Sequence, residues 1–410
     1  MTPTDRFAIV ADGWFDGERL HAHGPFTFRI EHGRISDIVA GDFGATLATQ
    51  GMEILRGGFV LPGLVDAHVH LFLDGAPTDG AQRAAHLKKP VEALFDTARA
   101  SARQALACGV TLVRDAGDRH GINHRLRDEA AADPALARVR SAGLGVKRPK
   151  RYGAFMARDV ADDAAIRDSV RELARDSDEI KLILTGIIDF EAGAVTDEPQ
   201  FDLAATRLVV DSARACGRKT MVHCSGATGL EIAARAGVGS IEHGFFMRRD
   251  LLARMAEHDV AWTPTFCPVH FQWAHPEAVG WSAQTVGNLR RILDEHARHL
   301  LIARELGVRL LFGTDAGSMG VEHGHAVHEE IARYLEAGLS TLEVLQSATA
   351  AARRHFGHAR PRLERGAPFD AMLLERSPFA DIGALRKPLR AWTAPPDPAC
   401  APAGREDAEA

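Results

Sequence analysis

The stretch "GLVDAHVHLF" at residues 63–72 decides how the rest of the chain is interpreted. It completes an apolar run, "FVLPGLVDAHVH", that is typical of a buried β-strand, in which residues i and i+2 lie on one face. His68 and His70 are therefore expected to point to the same side, and Val69 to the other. Two histidines at the end of a strand are either polar residues that meet solvent or two ligands of one metal ion.

Beyond this strand, short apolar segments alternate with longer segments rich in Ala, Arg and Glu. Helix-like stretches such as "DLAATRLVVDSARACG" and "TGLEIAARAG" end in glycine, which suits the position that follows a helix. Eight strand–helix units predict an α/β fold, a closed (β/α)8 TIM barrel with its functional groups at the carboxyl ends of the strands. The predicted strands are 64–71, 110–117, 138–143, 179–186, 219–226, 240–246, 261–266 and 309–317.

Both ends of the chain predict a second, smaller β domain. Residues 1–62 read as short strands separated by Gly and Asp, and "RLERGAPFDAMLLE" at 362–375 returns to a strand pattern. We therefore predict a β-sandwich built from 1–62 and 359–394 around a metal-dependent barrel at 63–358. Residues 395–410, rich in Pro, Ala and charge, are predicted to form a disordered tail.

The composition narrows the class of protein. The 410 residues are 46% hydrophobic and 25% charged, which is ordinary for a globular protein. A net charge of −6 gives no basic excess for nucleic acid or an anionic membrane. The five cysteines include no CxxC pair, and neither a signal peptide nor a membrane-spanning segment is recognisable. These features predict a cytoplasmic location.

Several metal-ligating side chains fall at or near the predicted strand ends. Taken singly, each has a structural explanation, because a histidine can be hydrogen-bonded in the core and an Asp can cap a turn or a helix. Their coincidence on the strand ends of one predicted barrel favours a shared metal site. They are His68, His70, Lys181, His223, His243 and Asp315.

The order HxH, Lys, His, His, Asp resembles the amidohydrolase superfamily. The flanking sequences "RGGFVLPGLVDAHVH", "GVTLVRDAG", "AGVGSIEHG", "GTDAG" and "LSTLEVLQSATAAAR" are similar to the same superfamily, and the resemblance covers nearly the whole chain. Within the superfamily the chain looks most similar to the prolidase-like and imidazolonepropionase-like branches.

The resemblance implies a binuclear hydrolase of an amide or peptide-like C–N bond in a small molecule such as a dipeptide or an N-acyl amino acid. It implies that His68, His70 and Asp315 hold one metal, that His223 and His243 hold the second, and that a CO2-derived carbamate on Lys181 bridges both. A cationic lysine could not ligate, whereas the carbamate, Asp315 and a bridging hydroxide together offset two divalent cations. Histidine with oxygen ligands favours Zn2+, two per chain, with another divalent first-row metal as the alternative.

Further roles follow from the same resemblance. The bridging hydroxide attacks the substrate carbonyl, and the catalytic Asp315 passes its proton to the departing amine. The chain is expected to form a homo-oligomer, as such barrels often do. Two alternatives stay open: a mononuclear aminohydrolase, deaminase or cyclic-amide hydrolase acting on a heterocycle, and an inactive barrel that serves as an assembly or binding protein.

The loops after the strands are expected to bind the substrate. The loop "KRPKRYG" offers Arg148, Arg151 and Tyr152, of which an arginine clamps a substrate carboxylate unless the loop is only a solvated basic segment. His270 and His325 lie in the two later loops and are predicted substrate contacts or structural residues. "HCSG" after the fifth strand lacks the tyrosine that prolidase-like relatives often carry there, which argues against dipeptide specificity.

Overall fold

The computed structural model describes residues 6–394 as strands, helices and the loops between them. The strands are β1 (Arg6–Phe15), β2 (Leu20–His21), β3 (Phe26–Glu31), β4 (Arg34–Ala40), β5 (Glu53–Pro62), β6 (Leu64–Val69), β7 (Val110–Asp115), β8 (Arg138–Ser141), β9 (Gly145–Lys147), β10 (Ala157–Asp159), β11 (Glu179–Ile183), β12 (Lys219–Cys224), β13 (Ser240–His243), β14 (Ala261–Thr263), β15 (Ala371–Leu374) and β16 (Arg390–Trp392). The predicted tail, 395–410, lies outside the described residues.

The helices mostly follow the strands, as an α/β fold requires. They are α1 (Gly44–Thr49), α2 (Gly80–His86), α3 (Val91–Ala107), α4 (Ile122–Ala132), α5 (Asp163–Leu173), α6 (Leu203–Ala215), α7 (Ala227–Ala236), α8 (Arg249–Glu257), α9 (Cys267–Ala274), α10 (Pro276–Val279), α11 (Ala283–Leu306), α12 (Ala326–Ala337), α13 (Thr341–Gln346) and α14 (Ala352–His355). A π-helical turn, Ser347–Ala351, joins α13 to α14, and Ile382–Arg386 is a 3-10 helix. Within residues 6–394 we find no helix with the length and apolarity needed to cross a lipid bilayer.

Strands from both ends of the chain form one sheet, in the order β16-β15-β5-β1-β3-β4 with β2 beside β1. β15 pairs antiparallel with β5, so that Leu373 lies opposite Val60. Alternate residues of β1, such as Phe7 and Ile9, are buried in a cluster with Phe369 and other residues that precede β15. The structure thus joins the two terminal segments in a single sheet. Within residues 6–394 the terminal segments form this one sheet, and the predicted domain boundaries remain predictions.

The central strands are parallel and lie in two sheets, β6-β7-β8 and β10-β9-β11-β12-β13-β14. The residues of β6, β7 and β11 are buried on both faces, as expected of strands covered by helices. Seven of the eight predicted central strands are present, and the α/β fold is confirmed. The short strands β9 and β10 were not predicted. The third predicted strand ends early at Ser141, because Gly143 has a φ of 65°, which interrupts extended backbone.

The predicted eighth strand, 309–317, is not a regular strand. Leu310 is bridged to Trp262 in β14, and Ala316 is bridged to Val69 in β6. The segment therefore lies between these strands, but Asp315 has a φ of 56°, a left-handed conformation that is incompatible with a continuous ladder. The sequence prediction of a full strand was wrong here for that reason.

Local sequence signals explain where the helices begin and end. The side chain of Asp202 accepts a hydrogen bond from the backbone N–H of Ala205 and thereby caps α6. Gly237 follows α7 with a φ of 68°, a conformation that glycine adopts without strain. The buried positions of α6, including Val209, Val210 and Ala213, recur at helical spacing and pack into the main core.

Arg353 on α14 joins the terminal sheet to the central strands. Its guanidinium donates to Gly63 O at 2.8 Å, to Thr111 Oγ1 at 3.1 Å and to Asp370 Oδ1 at 2.8 Å. The Arg353 side chain is 5% exposed, so removing it leaves the poorly hydrated carboxylate of Asp370 without its cation. We expect Arg353→Met to lower the free energy of unfolding by about 3–5 kcal/mol, measured by urea denaturation.

The neighbouring arginine provides the matched control. Arg354 pairs with Glu18 but is half-exposed, so Arg354→Met is expected to cost about 1 kcal/mol or less. Equal losses for the two variants would contradict the assigned role of Arg353.

Candidate metal centre

All six predicted metal ligands lie in one cluster at the carboxyl side of the parallel strands. His68 is in β6, His223 in β12, and His243 is the last residue of β13. Lys181 lies within β11, where every residue is buried. His70 lies just beyond β6, Asp315 lies in the irregular segment 309–317, and His70 N donates to Ala316 O at 2.8 Å. Adjacent parallel strands therefore bring these side chains together from distant parts of the sequence.

Three of these side chains form a compact set of possible ligands. Asp315 Oδ1 lies 3.6 Å from His68 Nε2 and 3.7 Å from His70 Nε2. One ligand atom from each residue lies within 4.8 Å of the other two. Burial lowers the pKa of His70 to about 3 and that of His68 well below its usual value. Both imidazoles are thus neutral near pH 7, the form that binds metals.

His68 Nε2 gives an independent test of whether a metal fits. This nitrogen is buried and has no hydrogen-bond partner, which is costly for a polar atom. His68 Nδ1 lies 2.8 Å from Glu242 Oε2, and because a carboxylate only accepts, Nδ1 carries the hydrogen. The lone pair of Nε2 consequently faces Asp315 without a donor, which suits a cation.

His223 and His243 face the same space from neighbouring strands, with ring centroids 4.7 Å apart. His243 Nδ1 lies 2.8 Å from Thr265 Oγ1, and His223 Nε2 lies 3.4 Å from Gly186 O. Each ring is held through one nitrogen and keeps the other for a ligand. Burial lowers the pKa of His223 to about 3, so it too is neutral.

Lys181 and Asp315 are both affected by their burial in this cluster. Burial lowers the pKa of Lys181 to about 8, so a fraction of its amine is uncharged near neutral pH. Burial raises the pKa of Asp315 to about 7 in the absence of a cation. A bound divalent ion favours the ionised carboxylate and a negatively charged lysine derivative. The donor set therefore fits one or more cations.

A buried network of charges lies beneath the metal ligands. Arg114 in β7 donates to Glu242 at 2.9 and 3.1 Å and to Glu179 at 2.8 Å. Arg140 in turn donates to Glu179 at 2.9 Å. Glu242 and Arg114 are fully buried, so each depends on the other for compensation of its charge. The network ends at His68 Nδ1 and thereby fixes the orientation of that ring.

Left-handed backbone conformations occur at the site. His243, Thr265 and Asp315 have φ values of 69°, 52° and 56°. Non-glycine residues seldom adopt this region, and such strain is concentrated at functional sites. Successive residues of a regular strand point to opposite faces. At the end of β13 the left-handed conformation allows His243 to point toward the ligand cluster on the same side as Glu242, which contacts His68.

A cavity of about 260 Å³ opens beside the ligands His70, His223, His243 and Asp315. Much of its wall is apolar, including Leu73, Phe155, Met156, Ile188, Phe190 and Phe245. Tyr152 also lines it, with its ring centroid 5.4 Å from that of His223. Of the predicted substrate contacts, Tyr152 is therefore placed next to the metal ligands.

The other four predicted substrate contacts do not line this cavity. Arg148 stacks on Phe201 and donates to Val160 O at 3.0 Å, while Arg151 donates to the Glu198 carbonyl. Their guanidinium groups are engaged by the protein instead of pointing toward the ligands.

His270 and His325 line a separate cavity, also of about 260 Å³, next to α9 and α12. His270 Nδ1 lies 3.2 Å from Glu329, and His325 Nε2 lies 2.9 Å from the Gln104 amide. The structure thus gives both histidines local polar partners away from the metal ligands.

Two residues at the site were missed by the sequence analysis. Glu242 lies in the motif "IEHG", of which only the adjacent His243 was predicted to be a metal ligand. Arg83 lies in α2, in the loop after β6, and lines the cavity together with Asp315. The position of Arg83 shortly after a strand end was the only available signal, because functional loops follow such ends.

Comparisons with known proteins agree with this arrangement. The family model described as "Amidohydrolase family" matches residues 59–395. An uncharacterised protein of Mycobacterium tuberculosis strain H37Rv is 30% identical over 338 residues, 82% of this chain and 84% of the relative. Ochratoxinase of Aspergillus niger is 24% identical over 362 residues, 80% of this chain and 72% of the relative.

A solved structure extends the comparison to the fold. A Xaa-Pro dipeptidase with methionine bound in its active site has a TM-score of 0.79 and 25% identity, covering 93% of this chain and 97% of that one. With the match over most of the sequence, these findings show that the chain belongs to the amidohydrolase family and is a metal-dependent hydrolase of carbon–nitrogen bonds.

Proposed function

We propose that this chain is a binuclear metal-dependent hydrolase that cleaves an amide or peptide-like bond in a small molecule. The observation that carries the proposal is the buried cluster of six ligands in which His68 Nε2 lacks a partner. The similar Xaa-Pro dipeptidase and ochratoxinase are consistent with a small substrate. The chain departs from prolidase-like relatives at "HCSG", residues 223–226, because no tyrosine follows His223 in the sequence.

The proposed fold places this site at the mouth of a closed (β/α)8 barrel. Support comes from the segment 309–317, in which Leu311 N donates to Trp262 O at 2.8 Å. On its other side, Ala67 N donates to Phe312 O at 2.7 Å. These bonds connect β14 to β6 through one stretch of chain. We further propose that the terminal sheet is one half of a β-sandwich.

In this proposal His68, His70 and Asp315 would hold one Zn2+, His223 and His243 would hold the second, and a carbamate on Lys181 would supply a further negatively charged ligand. When bound, the two cations would lower the pKa of water and polarise the substrate carbonyl. Lys181 suits the role of a carbamate because its lowered pKa leaves part of the amine nucleophilic toward CO2.

The protein's own groups supply the proton transfers and the orientation of the substrate. Asp315 Oδ2 accepts a hydrogen bond from Ser318 Oγ at 3.1 Å, which holds the carboxylate at the cavity wall. From there Asp315 can receive a proton from the attacking water and deliver it to the amine nitrogen. Burial raises the pKa of Tyr152 above its usual value, so its hydroxyl stays protonated and can donate to the carbonyl oxygen.

A mononuclear aminohydrolase, deaminase or cyclic-amide hydrolase acting on a heterocycle remains the second candidate. The observation that favours it is that, among the His, Cys, Asp and Glu side chains of the described residues, only those of His68, His70 and Asp315 bring three ligand atoms within 4.8 Å of one another. In that case Lys181 stays unmodified. A cytoplasmic location and a homo-oligomer also remain predictions from the sequence.

Metal removal tests the proposal directly. We expect about two metals per chain after growth with zinc and bicarbonate, and loss of hydrolysis after chelation. Zinc with bicarbonate should restore the activity because the carbamate must reform. One metal per chain would favour the mononuclear candidate, and absence of bound metal in folded, zinc-treated protein would refute both.

Lys181→Met provides the specific control. The apolar side chain suits the buried strand, but it cannot form a carbamate. After chelation and the return of zinc, any hydrolytic activity that this variant regains should not depend on bicarbonate. Its metal content should be lower than that of the native protein. Unchanged metal content and unchanged bicarbonate dependence would exclude the assigned role of Lys181.

A further inference from the structure

Arg83 is a cation that faces the substrate cavity and is held by two backbone carbonyls. Its guanidinium donates to Asp74 O at 3.1 Å and to Gly317 O at 3.0 Å. Within residues 6–394 no carboxylate forms an ion pair with it, and its other N–H groups remain available. Burial lowers the pKa of Arg83, while the nearby charges of Asp315 and Asp74 act in the opposite direction, so the cation is partly desolvated and a further anion at its free N–H groups would stabilise it.

The position of Arg83 relative to Asp315 specifies which part of a substrate carries that anion. Arg83 binds the carbonyl of Gly317, two residues beyond Asp315, and Arg83 and Asp315 both line the cavity. In the proposed reaction Asp315 protonates the departing amine. A carboxylate at Arg83 therefore belongs to the amine half of the substrate, as in an amino acid.

The rest of the cavity wall indicates the chemistry of the acyl half of the substrate. Phe155, Ile188, Phe190 and Phe245 are apolar, and Ile187 at the same cavity is 60% exposed. An exposed large apolar side chain beside a cavity suits an apolar ligand. Among the residues the structure describes, Asp315 is the sole acidic residue lining the cavity, so a free α-ammonium would find no separate partner.

We propose that the substrates are N-acylated amino acids, with the free carboxylate of the amino acid bound by Arg83 and an apolar acyl group on the aromatic wall. This inference rests on the proposed amide hydrolysis. Water adds to the acyl carbon and the C–N bond breaks. The products are the acyl carboxylate and the amino acid, whose nitrogen gains the water protons, one of them through Asp315.

Three compounds test the assignment: N-benzoyl-L-leucine, N-benzoyl-L-leucinamide and L-phenylalanyl-L-leucine. N-benzoyl-L-leucine should have the highest kcat/KM. Loss of the carboxylate in the amide removes a charge-assisted hydrogen bond and should lower kcat/KM about 10- to 100-fold. The dipeptide should be at least about tenfold poorer, because its ammonium would be desolvated against apolar side chains.

Arg83→Met should lower kcat/KM for N-benzoyl-L-leucine about 10- to 100-fold and change that for the amide less than about threefold. Arg83→Lys keeps the charge and should lose less. The comparison of two substrates within one variant separates carboxylate binding from a general disturbance of α2, which would slow both. Arg218→Met is the matched control, since Arg218 is also partly buried and donates to a backbone carbonyl, Ala174 O at 3.1 Å, away from the cavity.

The two proposals can fail separately. If hydrolysis of the amide and the acid is equally fast and Arg83→Met slows neither, Arg83 does not bind the carboxylate, although amide hydrolysis stands. If no compound is hydrolysed, calorimetric titration of N-benzoyl-L-leucine decides: binding that Arg83→Met abolishes supports the carboxylate site, and absence of binding to the native protein overturns it.

Discussion

Replacing Asp315 with asparagine is expected to lower kcat about 10²- to 10⁴-fold, the usual range for loss of a proton-transfer group. Asparagine keeps the shape of the side chain and one oxygen toward His68 and His70, but its amide is not a base. The carboxyl group is suited to proton transfer because burial raises its pKa to about 7 without metal, and a bound cation moves it lower. Steady-state kinetics with N-benzoyl-L-leucine provides the measurement.

Metal content must be determined on the same Asp315→Asn sample, because loss of a ligand would also reduce kcat. Ser318→Ala is the graded control: it removes the 3.1 Å hydrogen bond to Asp315 Oδ2 but keeps the base, so we expect less than about a tenfold decrease. An Asp315→Asn protein that retains metal and kcat within tenfold of the native protein would exclude Asp315 as the proton carrier.

The position of the site could be predicted from the sequence because strand geometry is local. Side chains at i and i+2 share a face, so His68 and His70 had to point together once the strand was recognised. Parallel strands end on the same side, which brings His223 and His243 near them without knowledge of any contact. The structure places these side chains as that reasoning expected, with ring centroids of His68 and His243 4.8 Å apart.

The route of the chain around Asp315 could not be predicted in the same way. Periodicity indicates an apolar strand at 309–317, but it carries no information about the left-handed φ of Asp315. That conformation is imposed by tertiary contacts: Asp315 N donates to His68 O at 2.8 Å, and Gly313 lies so close to Thr263 and His68 that a Cβ would collide. Such constraints appear only when the neighbouring strands are in place.

The substrate contacts were harder to predict because the partners of long side chains depend on the tertiary structure and not on neighbours in the sequence. "KRPKRYG" is the most basic loop near the predicted site, yet Arg148 covers Phe201 and Arg151 reaches the Glu198 carbonyl. Arg83 stands alone in "DGAQRAAH", and only the return of the chain at Gly317 brings it to the cavity. The net charge of a loop was therefore a poorer guide to the residues that line the cavity than the position of a single arginine.

Replacing Glu242 with glutamine is expected to weaken metal binding at His68 about 10- to 100-fold, the usual effect of removing the partner of a metal-binding histidine. The amide can accept from His68 Nδ1 only by turning its NH2 group toward Arg114, which also donates. One of the two contacts is therefore lost. Because the charged Arg114 is the stronger donor, we expect the amide oxygen to stay with it, so that His68 is no longer held with Nε2 toward the metal. Zinc affinity is measured by competition with a chelator of known affinity, which needs no substrate.

Glu179→Gln separates this positioning role from the stability of the network. Glu179 also pairs with Arg114, at 2.8 Å, but does not contact His68. Each substitution removes one buried carboxylate beside Arg114, so both should lower the free energy of unfolding of the metal-free protein by about 3–5 kcal/mol. Only Glu242→Gln should lower the zinc affinity. If both variants lower it equally, the charged network acts through general stability, because the direct bond between Glu242 and His68 is the contact that distinguishes them.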